Sequence, residues 1–230
     1  MVQLIRGVFF DIDDTLYDST KLARMARENS IKAMIDAGLN VAGEKELYSR
    51  LNAIIGKYGS NYQRHYDELL KDYGVKWNPR IIASGVVAYE RTKAGYLRPY
   101  PGTVPTLIKL KKKHMLGVIS NGLAVKQWEK LVGLGIHHFF DVVATSEELG
   151  YSKPHTRIFE YAMEEVGLKP EECVMVGDRL DTDILGGNRA GMTTVLMKTR
   201  REQEPTGRED TPKYEICSLC ELPPLLEGLG

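Results

Sequence analysis

From Thr103 onward the apolar residues alternate between helical and strand patterns, and this alternation is what most constrains the fold. Thr103–Lys113 reads as a helix, Leu116–Ser120 as a strand, Ala124–Leu134 as a helix and Asp141–Thr145 as a short strand. Pro154–Val166 reads as a helix opened by a proline in its first turn, and Val174–Gly177 as a buried strand. Asp181–Ala190 reads as a helix closed by Gly191, and Thr193–Met197 as a further strand. Parallel neighbours need crossovers, and strands buried on both faces run apolar without alternation. The pattern therefore predicts an α/β fold, a parallel sheet covered by helices on both faces.

A first strand covers about Gly7 to Ile12, and a different texture follows it. Between about Asp18 and Lys93, Leu22, Met25 and Ala26, then Ile31, Met34 and Ile35, recur at helical spacing. Gly38, Gly43, Gly56, Gly59, Gly74 and Pro79 cut that stretch into about four helices, so it reads as a helical insert. Arg98-Pro99-Tyr100-Pro101-Gly102 marks the return to the alternating region. Residues 199–213, charged and proline-bearing, read as an exposed loop, Tyr214–Cys217 as an edge strand and Leu222–Leu229 as a terminal helix.

Composition narrows the class of function. The 230 residues carry 31 basic and 31 acidic side chains, so there is no global positive field for nucleic acid or an anionic membrane. No apolar run is long enough to span a bilayer, and Met1–Arg6 lacks the layout of a signal peptide, which makes the cytoplasm the expected compartment. Three cysteines argue against a disulfide framework. Cys217-Ser218-Leu219-Cys220 lacks the further ligands of a zinc site, and Cys173 sits in an apolar run as a small core residue.

The first strand ends in Asp11-Ile12-Asp13-Asp14-Thr15. Residues two apart on a strand point to the same side, so Asp11 and Asp13 are expected to face one cleft at the carboxyl edge of the sheet, where such folds bind ligands. Like charges that close need a cation or a shared proton, which implies a metal site, an acid/base pair, or both.

Three further polar groups fall at strand ends. Ser120-Asn121-Gly122 follows a buried strand and opens a helix; it is either a phosphate cradle or an ordinary helix cap. Lys153, before Pro154, is either a solvated loop lysine or the fixed cation a carboxylate cluster needs. Gly177-Asp178, followed by Asp181 and Asp183, is either a hard-cation site or a set of helix N-terminal acids.

Taken in order, Asp11-Ile12-Asp13-Asp14-Thr15, Ser120-Asn121-Gly122, Lys153-Pro154 and Gly177-Asp178 through Asp183 resemble the four motifs of the haloacid dehalogenase superfamily. The resemblance covers nearly the whole chain. It implies a Rossmann-like catalytic core, residues 1–16 and 97–230, with a four-helix C1 cap, residues 17–96, inserted after the first strand. Members of this kind include Mg²⁺-dependent phosphatases of small phosphorylated metabolites, sugar or triose phosphates such as glyceraldehyde 3-phosphate. The resemblance further implies that Asp11 is the nucleophile that carries the phosphoryl group and that Asp13 is the general acid and base. Asp11, Asp178 and the backbone carbonyl of Asp13 would ligate Mg²⁺. Ser120, the Asn121 backbone and Lys153 would hold the phosphoryl oxygens. Asp183 would orient Lys153 or a metal-bound water, Thr15 would fix the turn or donate to Asp13, and Asp14 would cap the turn. Thr182 departs from the family, which often has Asn there.

Dehalogenases of the same superfamily need no acid at the second position, so Asp13 favours phosphoryl transfer. A phosphomutase shares all four motifs, and a non-catalytic binding module on the same fold would be expected to have lost one of them. Within the helical insert, Asn61 and His65, beside the glycine-bearing loop that starts at Gly56, are the candidate specificity residues, and Tyr17 is a candidate gate. The expected partner is a small phosphate ester, with no nucleic acid and no membrane, and the expected assembly is a monomer or homodimer.

Overall fold

The computed structural model of the chain describes residues 4–199 and 203–229. It forms two compact units, residues 1–18 with 98–230 and residues 19–97.

The larger unit is built on six strands: β1 (Gly7–Phe10), β2 (Met115–Ser120), β3 (Val142–Thr145), β4 (Cys173–Gly177), β5 (Thr193–Met197) and β6 (Tyr214–Ile216). All pair in parallel, in the order β3-β2-β1-β4-β5-β6. The two halves of the sheet therefore diverge at β1, the topological switch point where open α/β sheets form a ligand crevice. β1, β4 and β5 are buried at every residue, which is why they read as continuous apolar runs. Phe9 of β1 packs with Ile119, Val142, Ile158, Phe159 and Met175 in the core on one side of the sheet. It stands beside Gly117 in register, and a Cβ on that glycine would lie 2.5 Å from the Phe9 ring, so glycine makes room for the ring.

The four helices of the smaller unit are α1 (Ser19–Asp36), α2 (Glu44–Tyr58), α3 (His65–Asp72) and α4 (Pro79–Tyr96). Ile31, Met34, Leu47, Leu51, Leu69 and Ile81 share its core. Asn78 caps α4, its side-chain oxygen accepting from the N–H groups of Arg80 and Ile81.

The remaining helices are α5 (Thr103–Lys111), α6 (Ala124–Gly133), α7 (Ser146–Leu149), α8 (Thr156–Glu165), α9 (Leu185–Arg189) and α10 (Leu222–Glu227). Three differ from the sequence expectation. α8 starts at Thr156 rather than Pro154, because the His155 ring caps it by accepting from the Arg157 N–H. The helix expected over Asp181–Ala190 is split into a π-helical turn, Leu180–Ile184, and the short α9. α7 follows β3 with no warning in the apolar pattern. Part of the loop expected over residues 199–213 lies outside the described residues.

Candidate active site

β1 ends at Phe10, two residues earlier than the apolar run suggests, although the Asp11 N–H still pairs with the Val176 carbonyl. Asp11 and Asp13 therefore do not share a strand face, and the period-two argument for their common direction fails. Asp14 takes a left-handed backbone, φ 55°, a conformation that Asp tolerates better than most residues, and this turns the chain. Asp13 is carried on that turn and forms a bridge with Tyr17.

The two aspartates consequently have different surroundings. Asp11 is buried, and its Oδ1 accepts from Lys153 Nζ at 2.6 Å. Asp13 has a half-exposed side chain; its Oδ1 accepts from the Tyr17 hydroxyl at 2.7 Å and its Oδ2 from Lys130 Nζ at 2.6 Å. Tyr17 is itself buried, and burial first, then the Asp13 carboxylate, holds its phenol well above the usual range.

Lys153 is the buried cation of the site. Its Nζ lies 2.7 Å from Asp183 Oδ1 and donates to the Ile119 carbonyl at 2.7 Å, besides binding Asp11. The approach to Asp183 is an ion pair without hydrogen-bond alignment, for that buried oxygen has no well-aligned donor. Burial alone would lower the lysine's affinity for its proton. Asp11 and Asp183 more than reverse this and raise it, favouring the ammonium form. Burial pushes the Asp11 carboxyl up to about 6, against Lys153 and with Asp183 and Asp13 adding to the rise.

Asn121 has a structural task that its sequence position did not suggest. Its side-chain Oδ1 accepts from the Lys153 N–H at 2.7 Å and its Nδ2 donates to the Lys153 carbonyl at 3.1 Å, so the amide clamps the lysine's backbone. Ser120 ends β2 and is buried. The Gly122 N–H is committed to Ser146 Oγ and the Ala124 N–H to Glu147, so the start of α6 is capped from α7. Those two N–H groups therefore serve a helix cap, one of the two alternatives the sequence left open for this turn.

Gly177 lets Asp183 approach the sheet: a Cβ there would sit 2.3–2.4 Å from the Asp183 side chain. Asp183 Oδ2 accepts from the Arg179 N–H at 3.1 Å. The Asp178 carbonyl accepts from Gln203 at 2.7 Å. One carboxylate oxygen each from Asp11, Asp178 and Asp183 lie within 4.8 Å of one another, all three residues buried. Three negative charges against the one positive charge of Lys153 leave a buried excess of two, the condition a divalent cation relieves. The oxygen-only donor set suits a hard cation.

Thr15 is buried, but its hydroxyl has no hydrogen-bond partner among the described residues. Donation to Asp13, one of the two roles expected of it, is not made; the donors on Asp13 are Tyr17 and Lys130. Asn61 and His65 belong to the helical unit. His65 Nε2 bonds the Gly59 carbonyl at 2.9 Å, its ring meets Tyr62 edge-on, and the Asn61 carbonyl accepts from Gln63. Cys217 and Cys220 are exposed free thiols outside the carboxylate cluster, and Cys173 is a buried core thiol.

Lys130 is the site residue that sequence reasoning missed. Its signal was the spacing Gln127-x-x-Lys130 on the helix that leaves the Ser120-Asn121-Gly122 turn, which places both side chains on one face.

No helix among the described residues is long and apolar enough to cross a membrane. Comparison with known proteins agrees with the site. The chain is 52% identical over 217 residues, 93% of each chain, to a glyceraldehyde 3-phosphate phosphatase of Methanopyrus kandleri. It is 47% identical over 227 residues, 98% of this chain and 99% of the other, to one of Methanocaldococcus jannaschii. The solved structure of a HAD phosphatase from Thermococcus onnurineus superposes with a TM-score of 0.69 at 28% identity, covering 97% of this chain and 99% of that one. Residues 5–191 match the model of the haloacid dehalogenase-like hydrolases, and the chain belongs to that family.

Proposed function

We propose that the protein hydrolyses small phosphate monoesters in a Mg²⁺-dependent reaction through a phosphoaspartyl intermediate on Asp11, with glyceraldehyde 3-phosphate as the leading substrate. The observation that carries the reading is the convergence of Asp11, Asp178 and Asp183 around the buried ammonium of Lys153, with Asp13 alongside on its own pair of donors.

An Asp11 carboxylate oxygen attacks phosphorus, forming the acyl phosphate as the ester P–O bond breaks. Asp13 enters this step protonated and gives that proton to the departing oxygen, leaving the carboxylate that Tyr17 and Lys130 then hold. It then takes a proton from the water that attacks the acyl phosphate, which frees Asp11 and inorganic phosphate; general acid/base help of this kind is worth about 10²–10⁴ in rate. Lys153 and Ser120, with the Asn121 N–H, hold the phosphoryl oxygens. Asp11, Asp178 and the Asp13 carbonyl would hold Mg²⁺, which when bound neutralises the phosphate's charge and polarises its oxygens. Asp183 is better suited to holding Lys153 than to ligation, since the ammonium and the Arg179 N–H already engage its two oxygens.

The substrate assignment is supported by the two glyceraldehyde 3-phosphate phosphatases, each of which matches more than nine-tenths of this chain. Residues 19–97 act in this reading as the cap that closes over the leaving group, with Asn61, His65 and Tyr17 influencing which ester is accepted. The enzyme is cytoplasmic, a monomer or homodimer, and needs neither nucleic acid nor membrane.

Purified protein should release inorganic phosphate from p-nitrophenyl phosphate and, with higher kcat/KM, from glyceraldehyde 3-phosphate when Mg²⁺ is added. Asp11→Asn should abolish both. Folded protein that releases no phosphate with any divalent cation refutes the assignment, and a panel of phosphorylated metabolites led by another ester refutes the choice of triose.

A further inference from the structure

We propose that Lys130 is a positioning residue for the Asp13 carboxylate, and that Gln127 braces it from the turn that also sets Lys153. The proposal rests on the reading of Asp13 as the acid and base of the reaction.

The Asp13 side chain is 42% exposed, so packing alone does not select its rotamer. Two donors fix it instead. Tyr17 bonds Oδ1 at 2.7 Å, but it lies four residues along the same turn and moves with it. Lys130 bonds Oδ2 at 2.6 Å from α6, 117 residues away in sequence. It is the donor that ties the carboxylate to the rest of the sheet edge.

A lysine head is mobile unless something restrains it, because its long stem loses rotamer entropy on ordering. Here Lys130 Nζ also donates to Gln127 Oε1 at 3.0 Å. Gln127 is 4% exposed, and its Nε2 donates to the Asn121 carbonyl at 3.0 Å. Gly122 makes that placement possible. It has φ +132°, and a Cβ on it would stand 2.4 Å from Gln127 Nε2. A relay thus runs from the Asn121 carbonyl through Gln127 and Lys130 to Asp13. The same Asn121 clamps the Lys153 backbone through its side chain. One turn thereby aligns the group that serves the leaving oxygen and the group that serves the phosphoryl oxygens.

A part-exposed ion pair contributes little to stability, so a merely structural Lys130 would be nearly silent. A positioning Lys130 would not be, because a misplacement of about 1 Å at a reacting group costs up to about 100-fold in rate.

The test compares kcat/KM, which reports steps up to ester cleavage, for an alkyl phosphate and for p-nitrophenyl phosphate. An alkoxide needs a proton as it leaves; p-nitrophenolate needs little help. Lys130→Met should lower kcat/KM at least about 10-fold on the alkyl ester and less than about 3-fold on the aryl ester. Lys130→Arg should restore much of the loss. In an Asp13→Asn background Lys130→Met should add less than about twofold, because it acts through Asp13. Gln127→Leu should give the same pattern more weakly, and it serves if Lys130→Met does not fold. Equal losses on both esters, no loss on either, or full additivity with Asp13→Asn overturns the proposal. A crystal structure of Lys130→Met gives a readout independent of turnover. The Asp13 carboxylate should leave its place or spread over conformers, and an unmoved carboxylate overturns the proposal. Absence of phosphate release by the unaltered protein, in contrast, counts against the phosphatase reading and leaves the structural comparison to decide the role of Lys130.

Discussion

Gly177→Ala tests whether the Asp183 carboxylate stands where it does because β4 ends in a residue without a side chain. The added Cβ would lie 2.4 Å from Asp183 Cβ and Cγ and 2.3 Å from its Oδ2, whereas ordinary contact begins at 3.4 Å. Asp183 must therefore retreat by about 1 Å, and at 1% exposure it has no solvent-facing rotamer to adopt. A retreat of that size along the Lys153 axis lengthens the 2.7 Å ion pair to about 3.7 Å. With an effective dielectric of about 20, Coulomb attraction falls from about 6 to about 4.5 kcal/mol. Overpacking a filled site adds about 1–3 kcal/mol, so the expected destabilisation is about 3–4 kcal/mol. For a chain of this size that lowers Tm by roughly 6–15 °C. The assay is urea and thermal unfolding followed by circular dichroism in EDTA, with phosphate release measured on the same preparations. Gly95→Ala is the matched control: its Cβ would meet nothing within 4 Å on an exposed stretch of α4, and it should leave the protein unchanged or slightly more stable. If Gly177→Ala unfolds at the same midpoint as the unaltered protein and turns over normally, the packing argument for Asp183 is refuted. If it is destabilised while kcat is unchanged, the link from Asp183 through Lys153 to catalysis is refuted.

Three further outcomes are expected. Gly117→Ala places a Cβ 2.5–2.8 Å from the Phe9 ring and Val142 in the middle of the sheet and should cost about 1–3 kcal/mol in chemical denaturation; a change below about 0.5 kcal/mol would show that Phe9 has room to move. EDTA should abolish phosphate release and Mg²⁺ restore it, and Asp178→Asn should raise the Mg²⁺ needed for half-maximal turnover by more than about 10-fold, with a matching loss of affinity in titration calorimetry; unchanged affinity would remove Asp178 from the ligand set. Burial lowers the His114 imidazole below its ordinary 6.5, so the unfolded chain binds the proton more readily; the stability this contributes is complete above 6.5 and is lost as pH falls through the lowered folded value. His114→Gln should flatten that part of the pH–stability curve, and an unaltered slope would assign it to other groups.

How much of this was legible in the sequence depended on whether a feature is local. β4 and β5, buried on both faces, showed as plain apolar runs because their burial is uniform along the strand. The strand ends were less readable. Ile12 is fully buried and extends the apolar run past the last ladder pair, which made Asp11 and Asp13 look like neighbours on one strand face. What separates them is that the ladder stops at Phe10, before either aspartate, and the chain enters the turn marked by the left-handed Asp14; apolar patterning does not encode where a ladder ends. α8 started later than expected because a histidine ring, an unusual cap, outcompeted the proline as the helix boundary. Lys130 was hard to read for a different reason: its spacing from Gln127 is common on any helix, and its partner is 117 residues away, so on its own it reads as one more solvated lysine.

The motif aspartates, two residues apart, are served by two lysines from different elements. Lys153 is fully enclosed and faces Asp11 and Asp183; Lys130 is part-exposed and faces Asp13 alone. Had one lysine served both aspartates, the carboxylates would have been held as a single site, with the charge of each shifting the other strongly. In the proposed reaction, two lysines allow one carboxylate to remain buried as the nucleophile while the other stays in contact with the water of the hydrolytic half. The separation still has to be rigid, because in the proposed reaction both groups act on the same phosphorus and its departing oxygen. Asn121 supplies that rigidity: its side chain fixes the backbone of Lys153, and its carbonyl, through Gln127, fixes the head of Lys130. Asn121 thus joins the two halves at one residue, the Lys153 arm through its side-chain amide and the Lys130 arm through its backbone carbonyl, so replacing the side chain should loosen Lys153 and leave the Gln127–Lys130 arm in place.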